Sequence, residues 1–176
     1  MNKLYLVGAF ALAITCMFAG PVTAQPADDP ATCAVSATVD DIMEWEGNFA
    51  AIDLGHITAQ ATVLTGTAAI TLWINGDIHI TADNTAAARL HETDDTLVTQ
   101  YGIAYDGNGT TATGGATVAY TAYDSFLTTA SVVTHYDEDG AVEVTLSARA
   151  TNDTNNVADA GSYTAVQTLT ASWGSS

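Results

Sequence analysis

Four histidines, two cysteines and twenty carboxylates are the groups with which this sequence could do chemistry. His56, His79, His91 and His135 stand far apart, and none has the His-Glu-x-x-His spacing that sets two imidazoles on one helix face for zinc. Cys16 falls in an N-terminal apolar run, so Cys33 has no thiolate partner for a metal site or an intrachain disulfide. It reads either as a small buried apolar residue or as a thiol that pairs between chains. His79 alternates with Asp77 and Thr81, which makes it a solvent-facing histidine. No Gly-x-Ser-x-Gly elbow, phosphate loop or dinucleotide fingerprint occurs. Neighbouring carboxylates are common, but a chain this acidic produces them by chance, and glycosidase pairing needs a defined separation. No catalytic, cofactor-binding or metal-ligating residue is assigned, and a small secreted hydrolase is the reading with least support.

Two oxygen-rich stretches raise calcium. Asp106-Gly107-Asn108-Gly109 and Asp137-Glu138-Asp139 carry the right ligand type, but neither completes an EF-hand loop. Asn, Asp and Gly also dominate ordinary turns, and the turn reading is preferred. Trp73 lies opposite in phase to Ile70, Leu72 and Ile74. That makes it a contact surface for sugar or another subunit, or else a residue buried in a second layer. Asn108 and Asn152 each open a glycosylation sequon.

The elements that must position these residues are strands. Lys3, the apolar run from Leu4 to Gly20 and the small residues Val22-Thr23-Ala24 read as a signal peptide over residues 1–24, with cleavage before Gln25. The expected product is secreted, to the extracellular space or cell surface. Residues 25–31 read as a flexible mature N-terminus, and residues 32–176 as one β-sandwich domain. No later stretch is long and apolar enough to span a membrane as a helix.

Alternation with a period of two marks the strands. Cys33, Val35, Ala37 and Val39 form one apolar face, and Ile57, Ala59, Ala61 and Val63 another. Ile70, Leu72 and Ile74 make a third, and Val142, Val144, Leu146 and Ala148 a fourth. Tyr163, Ala165, Leu169, Ala171 and Trp173 close the series. Residues 40–47 and 85–95 are the stretches compatible with a helical turn. Directly opposed residues share a face, so parity predicts odd loops at two turns. Around Asn75-Gly76-Asp77, Ile74 would pair with Ile78 and Leu72 with Ile80. Around Glu138-Asp139-Gly140, Tyr136 would pair with Val142 and Val132 with Leu146.

The formal net charge is −17, and Lys3, Arg89 and Arg149 are the only basic residues. Such a surface repels phosphate backbones, which excludes nucleic acid as a partner. It favours solubility and association with cations.

Two segments carry a resemblance. Phe49-Ala50-Ala51-Ile52-Asp53-Leu54-Gly55 resembles the early Asp-Leu/Phe-Gly strand end of secreted bacterial sandwich proteins. Asp159-Ala160-Gly161-Ser162-Tyr163, running into Thr164 to Trp173, resembles their closing strand and the tyrosine corner of immunoglobulin-like domains. Ala165 stands where antibody domains have Cys. The order of parts is similar to fimbrial and spore-coat-U-like subunits, to TasA/camelysin and to archaeal bundling-pilus proteins.

The resemblance implies an all-β, mostly antiparallel, immunoglobulin-like or jelly-roll sandwich. It also implies a subunit of an extracellular filament, pilus or biofilm matrix whose partners are copies of itself. In such families an extended segment of one subunit completes the sheet of the next. Here the donor candidate is Cys33, Val35, Ala37 and Val39, and an ordinary first strand is the alternative. A carbohydrate-binding or adhesin module, using Trp73 against cell-surface or matrix glycans, is the second functional expectation.

Overall fold

The computed structural model describes residues 29–106, 112–136 and 140–174. The signal peptide over residues 1–24 lies outside them, as do Gly107, Asn108 and Gly109 of one calcium candidate and all of Asp137-Glu138-Asp139. The chain divides into two compact units, Met1–Thr38 and Val39–Ser176. Among the described residues all strands belong to the second unit, and no α-helix occurs.

The strands are β1 (Met43–Trp45), β2 (Val63–Ile74), β3 (Ile78–Ala82), β4 (His91–Glu92), β5 (Asp95–Thr96), β6 (Val98–Tyr105), β7 (Gly114–Gly115), β8 (Val118–Ala122), β9 (Ser131–Thr134), β10 (Ala141–Thr151) and β11 (Leu169–Trp173). They build a five-stranded sheet, β1-β2-β10-β6-β8, and a four-stranded sheet, β11-β3-β9-β7, with β4-β5 as a separate ribbon. All strand pairs among the described residues are antiparallel. The two sheets face each other in an all-β sandwich. Leu72, Ile74, Ile103, Val142 and Val144 of one sheet share a buried cluster with Ile78, Ile80 and Val133 of the other. Burying one such side chain stabilises the fold by about 1.5–3 kcal/mol, and this supplies the driving force for the alternating pattern.

The pattern is clearest in β2 and β10. Ile70, Leu72 and Ile74 are buried while Trp73 between them is 47 % exposed. Val142, Val144, Leu146 and Ala148 are all buried. The two strands pair along their whole length, from Ala141 opposite Trp73 to Thr151 opposite Val63.

Several expected elements differ. β2 and β3 do not form a hairpin, because β2 pairs with β1 and β10 while β3 pairs with β11 and β9. The Asn75-Gly76-Asp77 turn carries the chain from one sheet to the other. An odd loop keeps both apolar faces toward one core whether the strands pair edge to edge or face each other across the sandwich. Parity is satisfied either way, so it cannot choose. For the same reason Val132 does not oppose Leu146: β9 lies in the four-stranded sheet and β10 in the other. Residues 57–62 form no strand. Ala61 has φ 57, a left-handed conformation that ends the alternation before β2 begins. The 40–47 stretch yields β1 rather than a helical turn, whereas 85–95 holds a 3-10 turn at Ala86–Ala88 followed by β4. The closing strand starts at Leu169, and Tyr163 and Ala165 lie outside it.

Candidate functional site

The long strand β2 is paired along its length on the β10 flank but only at its last residues on the other. Its last three residues meet β1, with Met43 opposite Ile74 and Trp45 opposite Leu72. Beyond that, the Glu46 N–H donates to the Thr71 carbonyl at 2.9 Å. In an antiparallel strand the N–H and C=O of one residue point to the same flank, and successive residues alternate. Ile74 donates to Gly140 on the β10 side and Thr71 accepts on the β1 side. The N–H and C=O of Thr65, Thr67 and Ala69 therefore point to the β1 side, where no described strand pairs with them. This row of backbone groups is a template for another strand.

The inner face beside that row is partly covered. Ile52 and Leu54 pack against the core cluster, and a Cβ at residue 66 would lie 2.6 Å from the Ile52 Cγ2. Gly66 thus lets the 52–54 segment lie close over β2. That segment is the resembling Phe49–Gly55 stretch, and it enters no strand. Asp53 instead closes a tight turn, its Oδ1 accepting from the Gly55 N–H at 2.8 Å. Further along, residues 52–60 and 157–164 enclose a cleft of about 600 Å³ over Leu64, Leu90, Leu97 and Ala150. His56 is on its wall.

The start of the second unit is fastened at the opposite end of β2. Asn75 Oδ1 accepts from the Ile42 N–H at 2.7 Å, its Nδ2 donates to the Asp40 carbonyl at 2.9 Å, and its backbone N–H donates to the Ile42 carbonyl at 3.1 Å. Of the expected donor residues, none belongs to a strand in this chain. Cys33 is a free, exposed thiol, Val35 is 91 % exposed and Val39 76 %. An ordinary first strand in its own sheet is therefore not what residues 33–39 form. Apolar alternation drives a strand only where a sheet offers a partner edge.

The tyrosine corner is present as geometry. The Tyr163 hydroxyl lies 2.9 Å from the Asp159 carbonyl and 3.0 Å from Asp95 Oδ2. Asp95 also accepts the Asp159 N–H at 2.6 Å and the Thr96 N–H at 2.7 Å. Those two backbone donors hold the Asp95 carboxyl below its usual value, and the phenol and Arg89 act in the same direction against a desolvation cost. Tyr163 is pushed up to about 12, by desolvation and then by the neighbouring Asp95. Asp95 is the partner that sequence reading missed, because β5 is a two-residue strand with no alternation to mark it.

The remaining candidates are scattered. Trp73 stands exposed on the outer face of the five-stranded sheet, opposite Glu44 and Ala141. His79 is half-buried and pairs with Val132 and Ser172. His91 pairs with Thr96, and the His135 N–H donates to Asp77 Oδ1 at 2.9 Å. No group of three His, Cys, Asp or Glu placed to hold a metal occurs among the described residues. Asn152 is only 6 % exposed, and its Oδ1 accepts the Ala158 N–H at 2.9 Å. Its sequon is therefore closed in the folded domain.

Among known proteins, no family model matches the chain, and neither a curated sequence nor a solved structure is significantly similar.

Proposed function

We propose that this chain is a structural subunit of a secreted filament, pilus or matrix, in which residues 33–39 of one copy add to the open flank of β2 in the next. The observation that carries the reading is a mismatch within one chain. Residues 33–39 have a strand's alternation and no strand, while Thr65, Thr67 and Ala69 belong to a strand with a flank left open. Backbone pairing would supply affinity, and Cys33, Val35, Ala37 and Val39 would supply the apolar face.

The placement also supports polymerisation over a closed pair. The fastening at Asn75 lies past the Ile74 end of β2, whereas the open flank lies toward Val63. A donor leaving at one end and an acceptor lying at the other fit a head-to-tail contact, which propagates as a filament where its rotation does not close a ring. The work of such a protein is association, with the acidic surface keeping free subunits soluble.

Deleting residues 25–39 should abolish fibres in negative-stain electron microscopy and leave a β-rich monomer by circular dichroism. Thr67→Pro, which removes one N–H from the open flank, should do the same with the donor intact. Fibres that persist in both variants would sink the proposal. The exposure of Trp73 favours a second reading, a carbohydrate-binding or adhesin module, because an exposed indole stacks on sugar rings. A monomer that binds glycans and loses them on Trp73→Ala would replace the first reading with the second.

A further inference from the structure

The β10 row on the outer face of the five-stranded sheet has a charge near each end and small side chains between them. Along β10, Glu143, Thr145, Ser147 and Arg149 point away from the core, since Val144, Leu146 and Ala148 between them are buried. The cross-strand neighbours in the middle rows are small: Thr145 lies between Ala69 and Ala104, and Ser147 between Thr67 and Gly102. Toward β6 the face is raised, because Gly102 is buried against the β8 backbone at Val118 to Tyr120. Glu143 is exposed at one end, and Arg149 lies six residues further along the same strand, about 20 Å away.

Arg149 is an unusual group here. It is one of three basic residues in the chain. Its guanidinium carbon sits 5.4 Å from the Tyr120 ring centroid, yet its buried Nε has no hydrogen-bond partner. No carboxylate among the described residues forms an ion pair with it. Arg89 differs: it also lies over a tyrosine, Tyr123, but acts on the Asp95 carboxylate. The Arg149 arrangement depends on Gly102, where a Cβ would lie 3.0 Å from the Val118 carbonyl. The irregular β6–β8 register at this point carries Tyr120 toward β10.

We propose that this face is a two-fold docking surface for a second copy of the chain, with Arg149 of each copy set against Glu143 of the other. A two-fold axis lying between the faces, crossing β10 between Thr145 and Ser147, lays β10 on β10 with its direction reversed. Residue 149 then meets residue 143, and 147 meets 145. Both ion pairs form together, as an isologous contact requires. The charges are self-complementary only in this orientation; the parallel one sets like charges together.

The eleven residues of β10 and the neighbouring β2 span roughly 37 by 10 Å, about 700 Å² over both copies, below the standard size of a specific interface. The dimer is therefore reversible and salt-sensitive. It uses neither residues 33–39 nor the open flank of β2, so it stands or falls separately from strand donation.

Sedimentation velocity on the full-length chain carrying Val35→Asp, which removes the apolar donor face, tests this. A concentration-dependent dimer that weakens as ionic strength rises is expected. Arg149→Glu and Glu143→Arg should each weaken it at least tenfold, and the two together should restore it. Circular dichroism checks that each variant is folded, and Arg149→Gln replaces Arg149→Glu if that variant is not. A chain monomeric at every concentration, a dimer indifferent to both single swaps, or a double swap that fails to restore association would each overturn the proposal.

Discussion

Residues 33–39 and residues 142–148 carry the same signature, four apolar positions alternating with small or polar ones. The second run lies in β10, paired on both flanks by β2 and β6, with Val144 wholly buried. The first enters no strand, and its Val35 is almost fully exposed. One pattern has two fates, and the difference lies in the neighbours. A strand is stable when edges on both sides satisfy its backbone and a facing layer covers its apolar side. Alternation states which face wants burial, not which sheet will provide it.

That contrast has consequences at several sizes. The largest separates the two runs directly. Val144→Asp places an unpaired carboxylate in the sandwich core, and denaturant unfolding should show a loss of roughly 4 kcal/mol or more. Val35→Asp should leave the midpoint of the monomer within about 0.5 kcal/mol, as for other exposed positions, while abolishing fibres. Equal losses from both substitutions would mean that residues 33–39 are packed in their own subunit after all.

A third run sharpens the comparison. Ile57, Ala59, Ala61 and Val63 alternate too, but the left-handed Ala61 turns the chain before β2. Its N–H donates to the Asn152 carbonyl at 2.9 Å, which fixes the turn to the end of β10. Ala61→Gly should stabilise the fold by up to about 1 kcal/mol in thermal unfolding, since Gly occupies this region without a Cβ penalty. A loss instead would mean that the turn is not the native conformation.

The smallest effect concerns the Asp95–Tyr163 contact. The folded-state value of Asp95 lies below the usual 3.8. Its contribution is present above that value and is lost as pH falls through the lowered one. Tyr163 is raised from 10.0 to about 12, so its contribution is present below pH 10.0 and is lost as pH climbs toward 12. Stability measured against pH should fall at both extremes. Asp95→Asn should flatten the acid limb and Tyr163→Phe the alkaline one. An acid limb unchanged in Asp95→Asn would show that other carboxylates set it.

The core of the sandwich was legible because its strands are amphipathic and long: Leu72, Ile74, Val142 and Val144 were placed inside by period alone. The Tyr163 corner was legible as a motif, since its hydroxyl bonds four residues back along the chain. Asp95 was not, because it arrives from a separate ribbon 68 residues away. Thr65, Thr67 and Ala69 were equally hidden. Their interest lies in backbone groups, and side-chain pattern carries no record of which flank is paired.

The sequence alone determined the fold class and, within the long strands, which side chains turn to the core, because burial of apolar side chains acts through each residue's own identity and its period along the chain. Only the tertiary structure decided who pairs with whom. It sent β2 and β3 into different sheets through an odd turn, left one flank of β2 open, and kept residues 33–39 out of every strand. Backbone hydrogen bonds are chemically alike at almost every position, so pairing follows from how the whole chain packs and not from any local run of residues.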